Sequence, residues 1–141
     1  MEIKIKYHAP IERLEMTEKG DWCDLRSAET VEIKAFQSVR LSLGVSIELP
    51  LGHEAHIAPR SSTFRKWGVL LTNSLGVVDE SYRGNNDIWQ AEFFAVRDTK
   101  IEFNDRILQF RIMEKQPKLS FFEVSEFLSE DRGGFGSSGH K

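Results

Sequence analysis

Short stretches in which apolar and polar residues alternate recur along most of this chain. Because neighbouring side chains of a β-strand point to opposite faces, such alternation is typical of strands with one buried face. The alternating stretches cover residues 3–7, 31–35, 39–49, 54–59, 91–96, 100–103, 107–113 and 119–124. Turn residues such as Gly, Asn, Asp and Pro separate them. The pattern predicts an all-β sandwich or barrel.

The chain has 141 residues, which is enough for one domain with a sizeable core. We expect a β domain over residues 1–128, with one short helical turn at 62–67 that Ser61 or Ser62 can cap. Residues 129–141 are rich in Gly and Ser and predict a flexible C-terminal arm. Phe135 is the one large apolar residue of this arm, so it needs a surface to cover.

The charge and the apolar runs exclude several classes of function. The net charge of −3 argues against direct DNA binding, because duplex recognition needs a basic surface. The N-terminus lacks an apolar signal core, and no apolar run reaches membrane-spanning length. The single cysteine, Cys23, excludes an internal disulfide. We therefore expect a cytoplasmic protein without a membrane segment.

The segment APRSST (58–63) is the first candidate for chemistry. Arg60 offers a fixed positive charge with forked donors, and Ser61, Ser62 and Thr63 add hydroxyl groups at a turn. This combination suits a phosphate group. A helix cap beside a surface arginine is the alternative interpretation.

The segment TNSLGVVDESYRGN (72–85) is the second candidate. Asp79 follows two valines, and we expect desolvation there to raise its pKa towards that of a general base. Tyr82 offers a flat wall with a polar tip, and Asn73 carries both a donor and an acceptor. A plain hairpin with Asn73 and Gly76 in its turn is an equally good interpretation.

A third segment, NDRILQFRI (104–112), places Gln109 inside an apolar strand. A glutamine in this position faces either solvent or a ligand. In the nearby segment 85–96, Trp89, Phe93 and Phe94 are expected to pack in the core, and the alternative is that they line the approach to the site.

Five segments resemble, in order and spacing, the motifs of the trimeric dUTPases, the deoxyuridine triphosphate nucleotidohydrolases. The segments are CDL (23–25), PRSS (59–62), GVVDESYRG (76–84), DRILQF (105–110) and RGGFGSSG (132–139). The DESY and RGG forms are most similar to the branch found in Gram-positive bacteria and their phages. The resemblance implies a jelly-roll-like β-sandwich or distorted barrel, assembled as a homotrimer with active sites between subunits.

The resemblance also implies hydrolysis of dUTP to dUMP and pyrophosphate with Mg²⁺. Asp79 matches the residue that activates the attacking water, and Asp24 matches the residue that holds the metal through a water. Tyr82 is implied to exclude ribose, and Phe135 to stack on uracil when the arm of one subunit closes over another subunit's site. The implied substrate contacts are Arg60, Ser61, Ser62, Asn73, Gly76, Val78, Tyr82, Gln109, Arg132, Phe135, Gly136 and Ser137.

Two positions depart from the family pattern, and two alternative functions stay open. Ser81 stands where a second aspartate is common, and the RGGFG arm is shorter than the usual RGxGGFG. One alternative is a dCTP deaminase of the same fold. The other is a dUTPase-like trimer that binds an unknown regulatory protein, for which the aromatic segment 85–96 is the candidate surface.

Overall fold

The computed structural model describes residues 1–134 and 136, and this part of the chain forms eleven strands and one short helix. The strands are β1 (Lys4–Tyr7), β2 (Cys23–Arg26), β3 (Val31–Ile33), β4 (Ser38–Ser42), β5 (Val45–Glu48), β6 (His53–Pro59), β7 (Val69–Leu71), β8 (Gly76–Val78), β9 (Gln90–Ala95), β10 (Thr99–Ile101) and β11 (Arg106–Glu114). The helix, α1 (Thr63–Trp67), lies between β6 and β7. The predicted all-β class is confirmed.

The strands form four antiparallel sheets. A four-stranded sheet has the order β2-β11-β6-β8, and a three-stranded sheet has the order β4-β9-β7. Two-stranded sheets pair β1 with β5 and β3 with β10. The pairing of β11 with β6 runs from Leu108–Pro59 to Glu114–His53 and is the longest ladder of the described chain. β6 therefore forms a rigid central strand between β11 and β8.

One apolar core connects all four sheets. Leu25, Leu41 and Phe93 have no exposed surface, and each contributes roughly 1.5–3 kcal/mol by leaving water. The Trp89 ring is 1% exposed and meets the edge of Phe110 with ring centroids 5.1 Å apart. Trp89 and Phe93 are core residues, as expected. Phe94 is only partly buried and packs beside the exposed Phe36 ring, so its predicted core position is wrong.

The predicted strand at 119–124 is wrong. Residues 115–134 contain neither strand nor helix, and Phe121 and Phe122 are 93% and 90% exposed. Alternation shows that a segment is amphipathic, but a strand also needs a neighbouring backbone to pair with. The boundary between domain and arm at residue 128 stays a prediction. Within the described residues, no helix is long and apolar enough to cross a bilayer.

Candidate active site

Asp24, Gln109 and Ala58 lie in one row across β2, β11 and β6. Gln109 pairs with Asp24 on one side and with Ala58 on the other. Their neighbours Leu25, Leu108 and Ile57 are buried, so alternation turns this row to the outer face of the sheet. The Gln109 amide donates to the Pro59 carbonyl at 3.0 Å.

Arg60 follows the end of β6 and joins this row. Its Nε lies 3.1 Å from one carboxylate oxygen of Asp24, and its Nη1 donates to the Arg106 carbonyl at 2.9 Å. Arg106 Nη1 lies 3.6 Å from the other Asp24 oxygen. We call Asp24, Arg60 and Gln109 the Asp24 cluster. It combines a carboxylate, a guanidinium group and an amide at an accessible strand end, and the Arg106 guanidinium lies beside it.

The hydroxyl groups after Arg60 have different roles. Thr63 has no exposed surface; its hydroxyl donates to the Ile107 carbonyl at 2.9 Å and accepts from the Arg60 backbone N–H at 2.8 Å. The Thr63 hydroxyl is therefore structural, and the interpretation of three free hydroxyl groups is wrong. Ser62 occupies the N-cap position of α1, but its side chain makes no capping hydrogen bond. Ser61 is exposed. These two serines remain available to a ligand.

The segment between β7 and β8 forms an open cleft. β7 pairs with β9 whereas β8 pairs with β6, so the two arms of the segment belong to different sheets. A cavity of about 260 Å³ lies between them, and Asn73, Gly76 and Glu92 contribute to its wall. A Cβ atom on Gly76 would lie 3.2 Å from the Ile57 Cβ, so glycine permits this close approach of β8 and β6.

Asp79 follows β8 directly. Its Oδ1 accepts hydrogen bonds from the Ser81 hydroxyl at 2.7 Å and from the Ser81 N–H at 2.8 Å. These bonds lower the pKa of Asp79 below its ordinary value. The expected upward shift is wrong for the single chain, because the side chain is exposed although Val78 before it is buried. Asp79 is therefore ionised at neutral pH.

Tyr82 closes the turn that begins at Asp79. Its N–H donates to the Asp79 carbonyl at 2.9 Å, and its hydroxyl donates to the Ile88 carbonyl at 2.9 Å. The ring is 41% exposed, so one face is open while both ends of the residue are fixed. We call residues 73–82 the Asp79 hairpin.

The Asp24 cluster and the Asp79 hairpin carry their reactive groups at opposite ends of β6. Val78 pairs with Ala55, so Asp79 lies beyond the start of that ladder, whereas Arg60 follows the last residue of β6. Strands rise about 3.3 Å per residue, which separates Asp79 and Arg60 by about 20 Å along the strand. Within one chain, the structure does not bring these predicted site residues together.

The predicted arm residues are only partly described. Arg132 is exposed, and Gly136 has a φ of 85°, a left-handed conformation that glycine adopts without strain. Phe135 and Ser137 lie outside the described residues, so their predicted contacts stay predictions.

No group of three or more His, Cys, Asp or Glu side chains within residues 1–134 and 136 is arranged to bind a metal ion directly. A polar cavity of about 150 Å³ does open beside Asp24, and Glu12 and Glu15 contribute to its wall. Mg²⁺ usually keeps several waters and uses one or two carboxylates plus phosphate oxygens. One accessible carboxylate beside a polar cavity fits that mode of binding.

The chain is thus an all-β protein with two separate groups of candidate site residues, and comparison with known proteins gives its family. The dUTPase family model matches residues 22–139, and the chain belongs to this family. It is 53% identical over its whole length to the SPbeta prophage-derived deoxyuridine 5′-triphosphate nucleotidohydrolase YosS of Bacillus subtilis strain 168, which it also covers completely.

Two solved structures share the fold at low sequence identity. Staphylococcus bacteriophage 80alpha dUTPase with dUPNHPP matches with a TM-score of 0.81 at 21% identity, and 98% of each chain is covered. A mutant dUTPase from phage phi11 of S. aureus, which coordinates a structural Mg(II) ion, matches with a TM-score of 0.77 at 17% identity. That match covers 90% of this chain and all of the phage protein.

Sequence reasoning missed two supports of the site. One is the buried Thr63 hydroxyl, which fixes the backbone of Arg60. The other is Glu80, whose carboxylate accepts from Gly52 N–H at 2.8 Å and from Lys115 Nζ at 2.9 Å. Thr63 directly follows the PRSS segment and Glu80 lies inside the GVVDESYRG segment, so position was the only available signal. The partners Ile107, Gly52 and Lys115 are distant in sequence and could not be read from it.

Proposed function

We propose that this chain hydrolyses dUTP to dUMP and pyrophosphate, limits uracil incorporation into DNA and supplies dUMP for dTMP synthesis in the cytoplasm. The observation that carries the proposal is the Asp79 hairpin. It combines a cleft that includes Asn73 and Gly76 with a carboxylate, Asp79, three residues after Gly76. At about 3.3 Å per residue this is roughly 10 Å, the scale on which a nucleotide joins its base to its first phosphate.

The cleft is proposed to select the base and the sugar. Asn73 and the backbone from Gly76 to Val78 pair with the uracil edge, because the two arms of the hairpin leave polar backbone groups open to the cleft. A site built for one base edge leaves groups unpaired with another base, which costs about 1–3 kcal/mol for each unsatisfied group. The Tyr82 ring, fixed at both ends, packs under deoxyribose and leaves no room for a 2′-hydroxyl.

The Asp24 cluster is proposed to bind the triphosphate. Arg60 exchanges its ion pair with Asp24 for phosphate oxygens, and Ser61, Ser62 and Gln109 add hydrogen bonds. Asp24 then holds Mg²⁺ through a water molecule. When bound, the metal would neutralise phosphate charge and orient the triphosphate.

Asp79 is proposed to orient and deprotonate the attacking water. The water oxygen forms a bond to the α-phosphorus while the bond to the bridging oxygen of pyrophosphate breaks, and the proton passes to Asp79. The low pKa of Asp79 in the free chain ensures that the carboxylate is ionised before substrate binds. The negative triphosphate and the exclusion of water then raise its proton affinity in the complex.

A homotrimer is proposed to complete the site. Asp79 and Arg60 lie about 20 Å apart along β6, so the Asp79 hairpin of one subunit must meet the Asp24 cluster of another. The arm, residues 129–141, then closes over the assembled site, with Arg132 on the phosphates and Phe135, Gly136 and Ser137 over the base. Stacking on the base contributes roughly 1–3 kcal/mol, enough to order a short arm only when substrate is present.

A regulatory role beside catalysis is the second candidate. Phage dUTPases such as that of 80alpha control transfer of virulence genes. For this chain, Trp89 and Phe93 are buried, so the partly buried Phe94, which packs beside the exposed Phe36, is the accessible aromatic ring of the suspected 85–96 surface. A dCTP deaminase is the less favoured alternative, since Tyr82 follows Asp79 in the dUTPase manner.

The test is pyrophosphate release from dUTP, UTP, dCTP and dTTP, each with and without Mg²⁺. We expect Mg²⁺-dependent release from dUTP alone. Ammonia release from dCTP would instead identify a deaminase, and absence of any turnover would refute the enzymatic proposal.

A further inference from the structure

Ser81 makes two hydrogen bonds to the same oxygen of Asp79. Its hydroxyl lies 2.7 Å and its backbone nitrogen 2.8 Å from Oδ1. The N–H of Tyr82 donates to the Asp79 carbonyl, so both the side chain and the backbone of Asp79 are tied into one tight turn. Two donors on one oxygen fix the rotation of the carboxylate about its Cβ–Cγ bond.

The other carboxylate oxygen, Oδ2, has no hydrogen-bond partner in the described part of the chain. It is therefore the oxygen that is free to accept from an incoming water. The assignment of one oxygen to the protein and the other to the reaction follows from the geometry of this turn.

A second set of contacts holds the same turn from behind. Glu80 accepts from the Gly52 N–H at 2.8 Å and from Lys115 Nζ at 2.9 Å, and the Lys115 N–H donates to the Gly52 carbonyl at 2.9 Å. The turn is thus anchored to the loop before β6 and to the residue after β11. Movement of Asp79 is restricted to its own side-chain rotation, which Ser81 controls.

We propose that Ser81 is a positioning residue of the reaction: it holds Oδ1 of Asp79 so that Oδ2 faces the attacking water. The proposal rests on the proposed function, in which Asp79 activates that water. Serine suits this role because it has a proton to donate.

The charges around Asp79 define the pH dependence of this arrangement. Ser81 stabilises the ionised carboxylate most, Lys115 adds a smaller stabilisation, and Glu80 is the neighbouring negative charge. Glu54 also faces Lys115. Removal of the Ser81 hydroxyl leaves these charges unchanged, so the pKa of Asp79 should rise through loss of that bond alone.

The test compares Ser81→Ala, which removes the hydroxyl, with Ser81→Thr, which keeps it. The control is Ser38→Ala on β4, an exposed serine whose hydroxyl has no partner in the described residues. The full-length enzymes are assayed with dUTP and Mg²⁺ across pH. For Ser81→Ala we expect roughly a tenfold lower plateau kcat, because a misplaced reacting group loses rate steeply, and an acid limb moved to higher pH. KM should stay within about twofold, and both Ser81→Thr and Ser38→Ala should behave as wild type.

A second readout does not depend on activity. Carbon-13 NMR of the Asp79 carboxyl group should show a higher pKa in Ser81→Ala than in wild type. An unchanged pKa, an unchanged kcat, or an equal loss in the alanine and threonine variants would overturn the inference. If wild type itself did not hydrolyse dUTP, the proposed function would fail, while the NMR result would still decide how Ser81 acts on Asp79.

Discussion

Mixing two inactive variants of this chain should restore activity. Equal amounts of Arg60→Ala and Asp79→Asn are mixed, unfolded and refolded together, so that the subunits of the two variants assort at random. Asp79→Asn removes the base but keeps the shape of the side chain, and Arg60→Ala removes a phosphate ligand. Each variant alone should be nearly inactive, whereas Asp79→Asn should still bind a non-cleavable dUTP analogue by calorimetry.

The expected recovery follows from the register of β6. Asp79 and Arg60 of one chain lie about 20 Å apart, so the proposed site takes Asp79 from one subunit of the proposed homotrimer and Arg60 from a different subunit. In the mixture, the subunit that supplies position 79 to a site carries Asp79 with a probability of one half. The subunit that supplies position 60 to that site carries Arg60 with the same probability. About one quarter of the sites are then intact, and the mixture should release pyrophosphate at about one quarter of the wild-type rate.

Sites formed within one chain would give a different result. Every chain of the mixture carries one defect, so activity would stay at the level of the two parents, and our reading of the register would be refuted. A matched control mixes Asp79→Asn with the double variant that carries both substitutions. No subunit of that mixture has Asp79, so recovered activity there would show an artefact of refolding.

Three further predictions concern the supports of the site. Thr63→Val leaves two backbone partners unsatisfied, so it should lower the free energy of unfolding by about 2 kcal/mol and Tm by about 6 °C at equal protein concentration. Thr63→Ser keeps the hydroxyl and should lower neither. Deletion of residues 131–141 should cut kcat while light scattering shows an unchanged trimer. The ammonium of Lys115 and, to a smaller extent, the N–H of Gly52 lower the pKa of Glu80, so these contacts stabilise the folded chain at pH values above the ordinary pKa of 4.5. The Tm difference between wild type and Glu80→Gln should therefore appear at pH 7 and vanish as pH falls through the lowered pKa.

Alternation predicted most of the strands, including the three-residue strands β3 and β10. Both β6 and β11 were predicted within about a residue of their ends. β7 reads VLL and does not alternate, so the pattern could not show it; β2 reads CDLR and alternates over only four residues, and it was missed. The error at 119–124 has the opposite origin: its alternation is clear, but no strand of the described chain pairs with it.

For single residues of the candidate site, the sequence likewise predicts residue type and order but not contacts in space. The motifs single out Asp79, Arg60 and Gln109 as candidates, because residue type and order are written in the sequence. They did not predict the direction of the Asp79 pKa, because that depends on the rotamer of Ser81 two residues later. The buried role of Thr63 likewise depends on a carbonyl of β11, which lies 44 residues further along the chain.

The length of β6 connects folding with function. With seven residues, β6 is long enough to pair fully with β11 and to support the core. The same length separates Asp79, near the start of β6, from Arg60, which follows its end. Shortening it to bring the two residues together would remove ladder pairs with β11. A stable single chain therefore presents two separate parts of the proposed site. It also leaves the large apolar side chains of Phe121 and Phe122 exposed to solvent. Since both deficits can be met by another copy of the chain, we infer that the same association that buries apolar surface also assembles the catalytic site.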